Sequence, residues 1–160
     1  YSSKPISVYS VGATNIIAAM ERHGVKRLVV VSSAAIDPAY HPSNSVLYTR
    51  IVEPYFMRKP GRTLYEDTRR MEALVQASAL NWTIIRSAWL FESTAVTDYQ
   101  LVENTAGGMY TGRADLAACL LAQLTDDRFV RKIAGVNTTV GTPNIIKQIW
   151  REGIRKPHKH

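Results

Sequence analysis

Three places in this sequence gather side chains able to handle protons, charge or a polar ligand. The first is Ser32-Ser33, at the end of the apolar run Leu28-Val29-Val30-Val31. A run this short, β-branched and apolar throughout reads as a strand buried on both faces, as in a parallel sheet covered by helices. Hydroxyls at the carboxyl end of such a strand stand where open α/β sheets take their ligands, and they can hydrogen-bond a carbonyl or an amide. A pair of small polar residues that ends a strand and starts a turn explains them equally well. The second place is Tyr65 with Arg69, four residues apart in a helical stretch. A cation beside a phenol lowers its pKa and lets it donate a proton near neutral pH. The guanidinium is broad and planar, however, and fits such a slot less well than an ammonium. A surface tyrosine beside a helix-face arginine is the plainer reading. The third place is Arg86, closing the run Trp82-Thr83-Ile84-Ile85. It can hold a phosphate or carboxylate bidentately, or pair internally with Glu72 or Asp115.

The elements that would position these residues follow from the pattern of apolar positions. A helix is expected over Ile6–His23, with Val8, Val11, Ile16, Ile17 and Met20 on its apolar stripe and Gly24 as terminator. The strand Lys26–Ser33 follows, then a loop rich in Pro, Ser, Asn and His over 34–47. A short helix fits 46–58. A clearer one fits Leu64–Ser78, with Met71, Leu74, Val75 and Ser78 inward. After the second strand, Trp82–Arg86, short strands are expected at Tyr99–Val102 and Gly108–Tyr110. Thr111 is expected to cap a helix, Arg113–Leu124, that buries Leu116, Leu120, Leu121 and Leu124. A third strand at Lys132–Asn137 and a basic helix from Pro143 to about Gly153 complete the order. Helices alternating with strands imply a parallel sheet with right-handed crossovers.

Composition narrows the function classes. At 160 residues, 46% hydrophobic and 21% charged, the chain has room for one core. Its longest apolar runs are far short of the roughly 20 residues of a membrane span. The net charge of +7 is spread along the chain, whereas nucleic-acid binders gather cations on one face, so the composition weighs against that partner. The single cysteine, Cys119, reads as core and suits a reducing cytoplasm. His23, His41, His158 and His160 are too scattered to suggest a metal. Arg113 and Asp115, at a helix start, fit a local ion pair and the helix dipole.

The ordered set Met71-Glu72-Ala73-Leu74, Ser78-Ala79-Leu80, Trp82-Thr83-Ile84-Ile85-Arg86, Tyr99 and Arg113-Ala114-Asp115-Leu116-Ala117 resembles the NmrA-like and flavin-reductase-like atypical short-chain dehydrogenases. Upstream, Asn15–Met20 and Gly24–Ser33 extend the resemblance over most of the chain. It implies the C-terminal portion of a Rossmann-like parallel sheet flanked by helices, with 1–160 as one NAD(P)-binding domain. Tyr65 and Arg69 have the spacing of that group's tyrosine–lysine pair, but registering the helix on Met71, Ser78 and Leu80 moves the lysine position nearer Thr68 and the tyrosine nearer Leu64. Two departures stand out. No G-x-x-G-x-x-G turn follows a strand and opens a helix, which is how a backbone approaches a pyrophosphate, and Gly12 and Gly107-Gly108 do not have that setting. With Tyr1 opening the sequence and only three central strands, a glycine-rich N-terminal part is expected to be missing. The second departure is Arg86-Ser87, where the group has Arg-Pro.

What the resemblance implies for function is an NAD(P)H-dependent oxidoreductase-like domain, NADPH slightly favoured, acting on a small quinone, flavin or carbonyl compound. Ser33 and Tyr65 are its catalytic candidates, with Ser32, Ser33, Arg86, Ser87, Ala88 and Trp89 toward the cofactor. The alternatives are a non-catalytic NAD(P)-sensing protein, or a remnant acting through protein contacts, including a homo-oligomer through an exposed sheet edge.

Overall fold

The computed structural model describes residues 5–40 and 62–143. Their elements are helix α1 (Val8–Arg22), strand β1 (Arg27–Ser33), a 3-10 turn (Ala34–Ile36), helix α2 (Arg62–Ala77), strands β2 (Asn81–Ser87), β3 (Trp89–Phe91), β4 (Gln100–Glu103) and β5 (Tyr110–Gly112), helix α3 (Arg113–Ala122), a second 3-10 turn (Asp127–Phe129) and strand β6 (Lys132–Asn137). The main sheet has the order β1-β2-β6-β4, and β3 pairs with β5 in a separate parallel ribbon. β1, β2 and β6 are parallel, and β4 returns antiparallel along β6. This is the α/β architecture, mostly parallel and flanked by helices, that the alternating pattern predicts.

Each face of the sheet buries its own cluster, because successive side chains of a strand alternate in direction. Leu28 and Val30 of β1, with Trp82 and Ile84 of β2, meet Ala13 and Ile17 of α1 and Val75 of α2. On the opposite face Val29, Ile85, Ala134 and Val136 meet Leu116 and Cys119 of α3. Fully buried branched residues such as Ile84 and Ile85 each contribute on the order of 1.5–3 kcal/mol of transfer free energy.

Helix α1 ends as its sequence suggests, at Gly24 with φ +69°. Its start is held from a distance. Ser7 makes no side-chain cap, and the Asp67 carboxylate of α2 accepts instead from the backbone N–H of Tyr9 (2.8 Å) and of Ser10 (3.4 Å). Arg70, three residues on, donates to Asp67 and to the Ile6 carbonyl.

Several expectations need correction. β1 is only partly buried: both its faces meet a core cluster, but among the described residues it is an outer strand, and Val31 is 42% exposed. Val8, Val11 and Ile16 likewise face outward, so α1 uses only Ala13 and Ile17 against the core. Leu74 is exposed while Met71 and Val75 are buried. Gly112, not Thr111, is the residue before α3; Leu121 lies on its open face, and Leu124 falls beyond its end at Ala122 and is also exposed. Apolar residues at helical spacing share a face, but not every such face has a neighbour in the fold. The short strands lie one to two residues later than expected. The helices expected at 46–58 and onward from Pro143 fall, apart from Pro143 itself, outside the described residues.

One glycine is demanded by packing. A Cβ on Gly135, in β6, would lie 2.1 Å from the Thr105 carbonyl oxygen and 2.2 Å from the Ala106 nitrogen, because the chain entering from β4 crosses directly over it. Backbone cannot yield as a side chain can. Gly135→Ala is expected to lower unfolding free energy by about 3 kcal/mol or more. Urea denaturation would measure this, and a loss of less than about 0.5 kcal/mol would refute the close approach.

Candidate functional site

The pairing of β1 with β2 aligns Ser32 with Arg86 and Ser33 with Ser87, and Ser87 in turn aligns with Val136 of β6. Four of the residues singled out in the sequence are thereby neighbours at the carboxyl edge of the parallel strands. Asn137 and Thr138 follow directly on β6.

Their hydrogen-bonding states differ. The Ser32 hydroxyl is buried and has no partner among the described residues, a condition that costs about 1–3 kcal/mol when nothing fills it. Its carbonyl accepts from the Ser87 hydroxyl at 3.3 Å. Ser33 Oγ accepts from the Ala35 N–H at 3.2 Å and so caps the 3-10 turn, which leaves its own proton to donate.

Arg86 is committed to the protein. Its Nε and Nη2 donate to the two oxygens of Glu72 at 3.0 and 2.8 Å, and its Nη1 donates to Asp37 at 2.8 Å. Glu72 is nearly sealed from solvent, at 5% side-chain exposure. The hydrogen bonds to Glu72 raise the Arg86 pKa above its ordinary value, against the opposing effect of burial. Of the internal partners open to Arg86, the structure selects Glu72 and not Asp115, and adds Asp37.

Ala88 and Trp89 carry the chain from β2 into the β3–β5 ribbon. The Ala88 N–H donates to Thr111 Oγ1 at 3.0 Å, and that hydroxyl donates to the Val136 carbonyl. The Trp89 N–H donates to the Met109 carbonyl. Both amides are therefore spent within the fold. The indole stacks on Tyr110 with centroids 6.3 Å apart, and Phe91 meets the same ring edge-on. Tyr40 spans the edge from the other side, its hydroxyl donating to the Gly108 carbonyl at 2.8 Å.

Tyr65 lies half-buried on α2, one turn before Arg69, whose guanidinium donates to the Ile36 carbonyl beyond Ser33. The pair thus shares the helix face turned to the 3-10 turn. At the alternative register, the Thr68 hydroxyl is bonded to the Leu64 carbonyl of its own helix.

The sequence reading misses one residue of this region, Asn137, and misplaces the role of another, Asp115. Asn137 is buried, with Oδ1 unpartnered among the described residues and Gly107 and Gly108 packed against its amide. Its place at the end of a parallel strand was the available signal. Asp115, read as a helix-dipole residue, proves to be a buried acceptor for the Thr97 N–H (2.6 Å), the Thr97 hydroxyl (2.9 Å) and the Thr138 hydroxyl. Burial alone would raise its pKa, but the bonds from Thr138 and Thr97 outweigh burial and hold it below the ordinary aspartate value. Burial pushes the Cys119 thiol up to about 11, so it stays protonated and inert at neutral pH. Among the described residues no three His, Cys, Asp or Glu side chains gather as a metal site, and no helix is long and apolar enough to cross a membrane.

A family model described as NAD(P)H-binding matches residues 3–127. No curated protein matches the sequence closely enough to add to it. Among solved structures, a short-chain dehydrogenase/reductase from Veillonella parvula superposes with a TM-score of 0.70 at 21% identity, over 88% of this chain and 65% of that one. A short-chain dehydrogenase/reductase of the same organism in complex with NADP gives 0.68 at 21% identity, over 82% and 59%. An anaerobillin reductase from Escherichia coli O157:H7 gives 0.64 at 17% identity, over 89% and 65%. At these identities the likeness is one of fold, and the chain spans less than two thirds of each of those proteins.

Two measurements check the site's internal chemistry. Arg86→Met leaves Glu72 buried without its counter-charge and is expected to cost about 3–5 kcal/mol of stability, with Arg86→Met/Glu72→Met recovering most of it. Equal losses in the single and double variants would mean that the clasp is not a coupled unit. Asp115, with its native pKa depressed, stabilises the fold above the unfolded aspartate pKa of about 3.9, and this contribution fades as pH falls through the lower native value. Asp115→Asn should therefore destabilise at pH 7 and lose stability less steeply than the parent below about pH 4. Parallel acid limbs for the two proteins would contradict this.

Proposed function

The chain belongs to the NAD(P)H-binding family, and on that footing we propose that the carboxyl edge of β1 and β2 receives the nicotinamide end of the cofactor in an oxidoreductase of the NmrA-like and flavin-reductase-like kind. The observation that carries this is the Ser32 hydroxyl, buried and without a partner among the described residues at the end of a parallel strand, where a polar group of a bound ligand would satisfy it. When bound, the cofactor supplies the hydride.

The chain's own residues do the rest. Ser32 orients the carboxamide end. Ser33, with one lone pair engaged by Ala35, donates a hydrogen bond to a substrate oxygen and keeps its proton. Ser87 holds the two strand ends in register through the Ser32 carbonyl. Arg86 acts through position, holding α2 and the turn after β1 against the sheet. Ala88 and Trp89 line the site by backbone carbonyl and indole, their N–H groups being spent. Tyr65, on the helix face turned to the same segment, is the candidate proton donor. NADPH is slightly preferred, the substrate is a small quinone, flavin or carbonyl compound, and the lone, buried Cys119 suits the cytoplasm. A non-catalytic NAD(P) sensor is favoured by one observation: the Thr68 hydroxyl, at the lysine register, is consumed by its own helix.

Calorimetric titration of the full protein with NADPH and NADH is expected to give a dissociation constant below about 1 mM for at least one, with Ser32→Ala weakening it roughly 10-fold. No binding of either nucleotide at that concentration would end the cofactor reading. Binding without oxidation of NADPH by a panel of quinones, flavins and aldehydes would leave the sensor.

A further inference from the structure

We infer that Asn137 receives the substrate, its Oδ1 accepting a hydrogen bond from a ring N–H, and so selects a flat carbonyl compound of the lactam or imide class. This rests on the reading of the carboxyl edge as a nicotinamide site. Asn137 ends β6, the strand on the far side of β2 from β1. The register sets it two strand spacings from Ser32, about 10 Å across the sheet, and two residues further along the strand direction. One carboxamide cannot reach both groups. With the nicotinamide end held at Ser32, Asn137 stands where a second reactant lies beside it.

The surroundings of the side chain leave one atom to present. Asn137 is 2% exposed. Its Nδ2 donates to Gln100 Oε1 of β4 at 3.4 Å, while its Oδ1 has no partner among the described residues. Thr138 fixes the strand end: its N–H donates to the Tyr110 carbonyl at 2.8 Å, and its hydroxyl accepts from the Gly112 N–H at 2.8 Å and donates to Asp115. Against the amide lie Gly107 and Gly108. The point where a Cβ on Gly107 would stand is 3.5 Å from Oδ1 and, outside residues 106–108, within 4 Å of no other atom among the described residues. Gly107 is itself exposed, so a stretch of backbone without side chains separates Oδ1 from solvent, and a small shift of it admits a ligand atom. Trp89, stacked on Tyr110, adjoins this stretch through its N–H bond to the Met109 carbonyl and suits a flat ring. An amide oxygen accepts and cannot donate. Quinones and simple aldehydes also carry acceptors alone and would leave Oδ1 unmet. A lactam or imide N–H meets it.

Two pairs of probes differ only in this donor: isatin against N-methylisatin, and lumiflavin against its imide N-methyl derivative. Calorimetric titration into the full protein saturated with NADP+ is expected to show at least one N–H probe binding roughly 10-fold more tightly than its N-methyl partner. Asn137→Leu keeps the bulk and removes the acceptor. A preference due to the hydrogen bond disappears in that variant, whereas one due to crowding by the methyl group persists. Its affinity for NADPH is expected to stay within about 2-fold of the parent. In the parent, the side-chain amide resonances of Asn137 should shift on adding the N–H probe and not its partner, a readout that stands even if the variant fails to fold. Equal binding within both pairs, no binding of any probe, or a preference that survives in Asn137→Leu overturns the inference and leaves the cofactor reading in place. A parent that binds neither NADPH nor NADP+ removes the cofactor reading, and the inference with it.

Discussion

The placement of the carboxyl edge depends on the guanidinium of Arg86. It reaches from the end of β2 to Glu72 on α2 and to Asp37 after the turn that follows β1, so three segments far apart in the chain meet on one planar cation. Burying these charges is expensive, and the attraction offsets that expense only because the fork geometry satisfies both carboxylates at once. The net contribution to stability of such a cluster is modest compared with an apolar replacement. What it supplies is location: with Arg86 fixed, the turn holding Ser33 and the helix holding Tyr65 are held in a fixed relation to the sheet.

Around that clasp the polar interior is distributed by the same rule, each buried carboxylate being met by donors from a different element. Asp67 receives the start of α1, and Asp115 receives the loop at Thr97 and the residue after β6. Thr111 passes a hydrogen bond from Ala88 to Val136. Among the described residues, Ser32 Oγ and Asn137 Oδ1 lack a partner at the carboxyl ends of parallel strands, and Gln123 Oε1 lacks one as well, after α3, where Arg27 at the start of β1 bonds the Gln123 carbonyl. Two unmet groups at the edge where open α/β sheets take their ligands give that edge a hydrogen-bonding capacity a bound polar group can use.

The strands were legible because their signal is local. Leu28–Val31 and Trp82–Ile85 are short apolar runs rich in β-branched residues, and they fall in β1 and β2. The helices were legible as helices, but not their buried faces. Leu121, Leu124, Val8 and Ile16 are apolar at helical spacing and yet exposed, because periodicity says which residues share a face and not whether anything lies against it. The neighbourhood of Ser32, Ser33, Arg86 and Ser87 followed from the rule that strand ends converge. The partner of Arg86 was open to inference only as a choice, since Asp37 sits in a loop whose path no local pattern dictates. Gly135 gave no sign of its role, as the crossing chain at Thr105 and Ala106 comes from another element.

The cap on α1 has a consequence for how the molecule comes to be folded. A helix normally carries its own first-turn acceptor, so that it can flicker into existence alone. Here the acceptor is Asp67, 58 residues away from Tyr9 in sequence. The loop-closure entropy must be lost before the bond can form, so α1 gains its cap only after α2 has docked. The two helices therefore order and melt as one cooperative unit, and a disturbance felt first at α2 will be read out as fraying at the start of α1.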